Sequence, residues 1–142
     1  MNSPVDFTGA QRRCLDALVD TLIPPDDNWP GAVDAGAVDF LRRLLAGDQH
    51  EMQAVYKTAL DLIDREAVST MGVPFAELYA DGRYNFLTVL ESGETTQEWP
   101  FSPSWFISVA AVHAAEGFYG DPGNVGNRDG VAWKMIGFEV RG

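Results

Sequence analysis

Apolar side chains recur three and four residues apart along most of this chain, and each run ends at a proline or a glycine. Cys14, Leu15, Leu18, Val19 and Leu22 form the first such run. That spacing gathers them on one face of a helix, whereas a strand would need alternation. Thr8 with Gln11 three residues on predicts a capping box at the start of the helix, and Pro24-Pro25 stops it. Asp34 is the expected cap of a second helix, with Val38, Leu41, Leu44 and Leu45 inside and Gly47 at its end. Asp48 with Glu51 reads as another capping box, opening a longer helix through Met52, Val55, Tyr56, Ala59, Leu62, Ile63 and Ala67 to Gly72. After Pro74, Phe75 to Tyr79 suits a short helical turn. Asp81 is the expected cap of a fourth helix carrying Phe86, Leu87 and Leu90 up to Gly93. Ser102-Pro103 is a cap followed by proline where its ring fits, before a helix from Trp105 through Phe106, Val109, Ala110, Val112 and His113 to about Glu116. No alternating strand pattern and no internal repeat interrupts this order. The expected fold is all-α, a bundle of about five helices in one domain over residues 1–142. Its long connections, 24–33 and 92–101, make an irregular bundle the expectation.

The character of the chain changes after Glu116. Seven of its 14 glycines fall in 117–142, with Phe118, Tyr119, Trp133 and Phe138 spaced among them. Charge changes at the same place. Residues 1–116 hold 18 acidic and 7 basic side chains, while 117–142 hold 3 of each. The net charge of -11 therefore belongs to a helical scaffold, 1–116, and a neutral, mostly irregular tail follows.

These numbers exclude several kinds of chemistry. So acidic a chain offers few of the clustered Lys and Arg that phosphate backbones need, so no nucleic-acid partner is expected. One Cys and two His provide neither an internal disulfide nor a tetrahedral Cys/His zinc site. Cys14, on an apolar stripe, is expected to be buried and inert. The longest apolar stretch, Trp105 to Ala115, is about half a membrane span, so no membrane insertion is expected. Arg12-Arg13 is followed by Asp16 and Asp20, which break the apolar run an export signal requires. A cytoplasmic location is the expectation.

Motifs for catalysis are no better supplied. Gly120, Gly123 and Gly126 lack the spacing and the preceding strand of a dinucleotide loop. Ser102, Ser104 and Ser108 sit on no nucleophile elbow. Asp26, Asp27, Asp34 and Asp39 do not follow the calcium-loop pattern. His113 and Glu116 share a helix face three residues apart, as an acid–base pair or half of a metal site would. A bundle di-metal centre needs two Glu-x-x-His elements and two further Glu, and this pair runs in the reverse order. A partly buried, hydrogen-bonded His113 is therefore the favoured reading, with His113 and Glu116 lining a partner's channel as the functional alternative. The densest polar group of the tail, Asn127-Arg128-Asp129 with Trp133-Lys134, suits a salt-bridged turn and equally an interface anchor, where Trp, Tyr and Arg are enriched.

The tail residues also resemble a known family. Glu116-Gly117-Phe118-Tyr119-Gly120-Asp121-Pro122, Gly126-Asn127-Arg128-Asp129 and Trp133-Lys134-Met135-Ile136-Gly137-Phe138 are similar to the C-terminal signature of the gluconate 2-dehydrogenase subunit 3 family. Leu22-Ile23-Pro24, Pro30-Gly31-Ala32 and Ala35-Gly36-Ala37 resemble its N-terminal motif. The chain departs from the pattern at Gly123-Asn124-Val125, where an aromatic followed by paired glycines is usual, and in lacking a twin-arginine signal.

The resemblance implies a small accessory subunit that binds no cofactor of its own. Its implied partner is a large FAD-containing oxidoreductase subunit of the glucose-methanol-choline type, acting on sugars, sugar acids or polyols. Phe118, Tyr119, Asn127, Arg128, Asp129, Trp133, Lys134 and Phe138 are the expected contacts with it. Two alternatives are a direct part in the partner's substrate channel and an independent small-molecule-binding regulator.

Overall fold

The computed structural model describes residues 6–24, 36–47 and 49–119, with the side chains of 117–119 excepted. Five α-helices make up the described part: α1 (Gly9–Leu22), α2 (Ala37–Ala46), α3 (Gln53–Met71), α4 (Ala80–Glu91) and α5 (Pro103–Tyr119). Short 3-10 turns, His50–Met52 and Phe75–Glu77, lead into α3 and towards α4. No strand occurs among the described residues.

Several ends form as the residues dictate. Thr8 Oγ1 accepts from the Gln11 amide at 3.1 Å, and Gln11 Oε1 accepts from the Thr8 amide at 3.0 Å, completing the capping box. Gln11 Nε2 also donates to Asp61 Oδ1 at 3.2 Å, tying α1 to α3. Gly72 closes α3 with φ 80°, a conformation that costs glycine little and a larger residue much. Ser102 Oγ accepts from the Trp105 amide at 3.2 Å, behind Pro103 in the first turn of α5.

Other ends differ from expectation. Asp34 and Asp48 lie outside the described residues, as does most of the 24–33 connection. α2 begins behind Gly36 at φ 87° with no side-chain cap. A 3-10 turn precedes α3, and Glu51 there lies 3.6 Å from His50 Nδ1 on the exposed surface. Tyr79, not Asp81, occupies the cap position of α4. Asp81 sits in the first turn, where its charge faces the positive end of the helix dipole. α5 continues three residues past Glu116, through Gly117. A single helical glycine costs about 1 kcal/mol relative to alanine, too little to stop a helix already propagating.

The interior is where these elements meet. α1 packs on α2, α3, α4 and α5, and α2 lies along α5. Leu15, Leu18, Leu41, Leu45, Leu60, Ile63, Phe75, Leu90 and Phe106 are almost wholly buried there. Each such side chain contributes about 1.5–3 kcal/mol on leaving water. Arg83 of α4 reaches α1, donating to Asp20 Oδ2 at 3.1 Å and Thr21 Oγ1 at 3.0 Å, and caps Leu78 O at 2.8 Å.

Candidate functional site

His113 lies on the inner face of α5, 8% exposed, opposite Tyr56 of α3. The Tyr56 hydroxyl is 2.7 Å from His113 Nδ1, and the two rings stack with centroids 5.9 Å apart. Burial lowers the His113 pKa, against an opposing pull from Glu116. The ring is therefore mainly neutral at pH 7, and its Nδ1 shares one hydrogen bond with the Tyr56 hydroxyl. Burial likewise raises the Tyr56 phenol, with Glu116 adding to it. Phe106 meets Tyr56 edge-on at 5.1 Å, closing the seam against α5. Glu116 itself is exposed. His113 is buried and hydrogen-bonded as expected, but its partner is Tyr56 of α3 where a bond fixing the turn after α5 was expected.

Cys14 is also as expected: fully buried, with Sγ 3.6 Å from Leu60 O. Burial and the adjacent Asp64 carboxylate push its thiol well above the usual range, so the nucleophilic thiolate does not form at neutral pH.

The sequence reading did not find Glu66. This carboxylate, on the inner face of α3 and 1% exposed, accepts from four groups of the 92–101 connection. The Thr96 amide donates to Oε1 at 2.7 Å, and Thr96 Oγ1 donates to the same oxygen. Oε2 accepts from Trp99 Nε1 at 2.9 Å and from the Gln97 amide at 3.3 Å. Burial pushes the carboxyl up, but these hydrogen bonds outweigh it and leave the pKa below the ordinary glutamate value. One anion thus pins a long irregular segment. Trp99 then meets Phe101 at 6.0 Å, and Phe101 meets Trp105 at 5.5 Å and Phe106 at 6.2 Å, which carries the tie to α5.

Beside this latch an apolar groove of about 290 Å³ opens between the end of α3 and α4. Thr70 and Met71 form one wall, Gly82, Asn85 and Val89 the other, and Phe86 and Leu90 the floor, with Glu94 and the latched Glu66 at its end. Met71 is 53% exposed and Val89 46%.

The expected interface residues are placed less fully. Phe118 and Tyr119 fall in the last turn of α5. Asn127, Arg128, Asp129, Trp133, Lys134 and Phe138 lie outside the described residues. No three His, Cys, Asp or Glu side chains stand together to hold a metal among the described residues, and no described helix is long and apolar enough to cross a membrane.

A family profile decides the kinship. The profile of gluconate 2-dehydrogenase subunit 3 matches residues 9–140. The chain belongs to this family. No curated protein and no solved structure matches it. As a subunit 3, the chain is one component of a dehydrogenase complex, which implies a partner subunit. The match takes in all five helices and all but the last two residues of the glycine-rich segment. His113, Cys14 and Glu66 serve within it as ties between helices and connection.

Proposed function

We propose that this chain is a non-catalytic accessory subunit that binds and stabilises an FAD-dependent oxidoreductase of the glucose-methanol-choline type, acting on sugars, sugar acids or polyols. The family match over residues 9–140 carries the reading. The geometry supports it: the ionisable groups best placed for chemistry are already spent on structure. His113 Nδ1 is taken by Tyr56, Glu66 by Thr96, Gln97 and Trp99, and the Cys14 thiol is buried against α3. In this reading the flavin and the oxidation of the sugar belong to the partner. The tail docks it through Phe118, Tyr119, Asn127, Arg128, Asp129, Trp133, Lys134 and Phe138, and the complex works in the cytoplasm.

Co-expression with a candidate large subunit of that flavoprotein type is the test. A yellow heterocomplex should purify, and Trp133→Ala with Arg128→Ala should weaken it. A large subunit that is soluble, flavin-loaded and fully active without this chain would overturn the reading.

A further inference from the structure

The α3–α4 groove is lined by residues of 66–94 alone, and none of the side-chain ties described above fills it. Its lining is apolar at Met71, Val89, Phe86 and Leu90, with the Asn85 amide beside them, while the Thr70 hydroxyl is returned to Glu66 O at 2.8 Å within α3. A groove of this volume is at the small end for a small-molecule site, which is typically about 300–1,000 Å³. A groove lined by two helices instead suits the apolar face of a third helix, which presents side chains at three- and four-residue spacing. Gly82 leaves one wall without a side chain, so a partner backbone can approach closely there. Met71 contributes a thioether that adapts to whatever packs on it.

Charge narrows the occupant. The groove is lined by two carboxylates, Glu66 and Glu94, and by no cation. Glu66 is consumed by the latch, so Glu94 is the charge presented at the rim, with exposed Glu91 and Asp81 on the adjoining helix. The nearby cation, Arg83, is turned to α1 and engaged with Asp20. The latch itself fixes the end of the groove, so the surface is already formed before anything binds.

We infer that this groove receives an amphipathic helix of the catalytic subunit, with apolar residues on its inner face and Lys or Arg beside them to meet Glu94 and Glu91. The inference rests on the accessory-subunit reading and adds a second contact surface to it. Interfaces of this kind concentrate binding in a few apolar anchors, with charges at the rim setting register and partner choice.

The test is co-purification of the full-length chain with the flavoprotein subunit, followed by affinity measurement by biolayer interferometry. Met71→Lys with Val89→Lys puts two cations on an exposed surface meant for a basic helix. It should weaken the complex at least tenfold while the variant keeps the thermal midpoint and circular dichroism of the native chain. Glu94→Lys should weaken it less and flatten its salt dependence. A complex that forms normally with the double variant overturns the groove assignment and leaves the accessory role standing. No complex with the unaltered chain overturns both. Dimerisation of the chain alone, abolished by Met71→Lys, would assign the groove to a second copy and overturn the inference.

Discussion

The two ends of α3 meet opposite surroundings. Its first half, with Tyr56, Ala59, Leu60 and Ile63, is buried against α1 and, through Tyr56, against α5, and its one buried polar side chain, Tyr56, is paired with His113. The last turn leaves Val68 50% and Met71 53% exposed, beside a groove whose floor is apolar. Between them stands Glu66, buried and saturated with donors. The same helix is thus scaffold at one end and open surface at the other, with a carboxylate latch marking the boundary. Hydrophobic periodicity accounts for the first end. The second end carries apolar surface that the described fold does not use, and such surface marks an interaction site more often than chance.

Truncation at the sealed end should produce the largest effect. Ile63→Ala removes three carbons from a fully buried core site, and is expected to cost about 2–5 kcal/mol through lost transfer energy and the cavity left behind. Urea denaturation measures it. A cost under about 1 kcal/mol would mean that this end is as loosely packed as the other, and the contrast would fail.

The boundary comes next. Glu66→Gln keeps the shape of the side chain but turns an amide nitrogen towards donors that need an acceptor, and should cost about 2–3 kcal/mol. Its pH dependence sharpens the assignment. Because the folded pKa of Glu66 lies below the ordinary 4.5, its ionised form stabilises the fold above that pH, and the contribution is lost as the pH falls below it. Acid titration monitored by circular dichroism should show a steeper loss below about pH 4.5 in the native chain than in Glu66→Gln. Equal profiles would mean that the latch does not anchor the 92–101 connection.

How much of this contrast was legible beforehand depends on how far apart the partners lie in the chain. The Thr8–Gln11 capping box, the Gly72 stop and the Ser102–Pro103 start are local, with partners no more than four positions apart, and each forms as its chemistry requires. The sequence favours a partly buried, hydrogen-bonded His113 because its pair with Glu116 is single and runs in the reverse order for a di-metal element. Its partner Tyr56 stands 57 positions away and has no sequence signal. A signal for Glu66 did exist: it sits at helical spacing from Ile63 and on the stripe with Ala67, where a charge demands compensation. The compensation comes from Thr96, Gln97 and Trp99 in an irregular connection, whose path no periodicity encodes. The groove was invisible for a related reason, since it depends on how α3 and α4 splay and not on either helix alone.

Tyr56→Phe tests the polar tie at the sealed end with a smaller change. The phenyl ring keeps the packing against Phe106, but His113 Nδ1 loses its hydrogen-bond partner, for an expected cost of about 1–2 kcal/mol. The sign with pH is fixed by burial. A folded His113 pKa below the ordinary 6.5 means that the unfolded chain takes up the proton first, so stability is full above about pH 6.5 and declines as the pH drops towards the lowered value. The native chain should lose stability across that window, and Tyr56→Phe should change its slope. His113→Phe should remove this part of the dependence altogether, as chemical denaturation at pH 7.5 and 5.5 would record.

The smallest effect on stability belongs to Met71→Ala, and it decides whether the open end is surface in the energetic sense. The side chain is half exposed, beyond the last buried residue of α3, and alanine is the better helix former. The change is therefore expected within about 0.5 kcal/mol of zero. If it costs 2 kcal/mol or more, Met71 is core, something in the chain covers it, and the two ends of α3 are not different in kind. If it is neutral for the isolated chain yet slows assembly with the flavoprotein subunit, the cost has moved from folding to binding. That dissociation is what a docking surface requires: a side chain that contributes nothing to the fold it sits on is free to contribute to the complex.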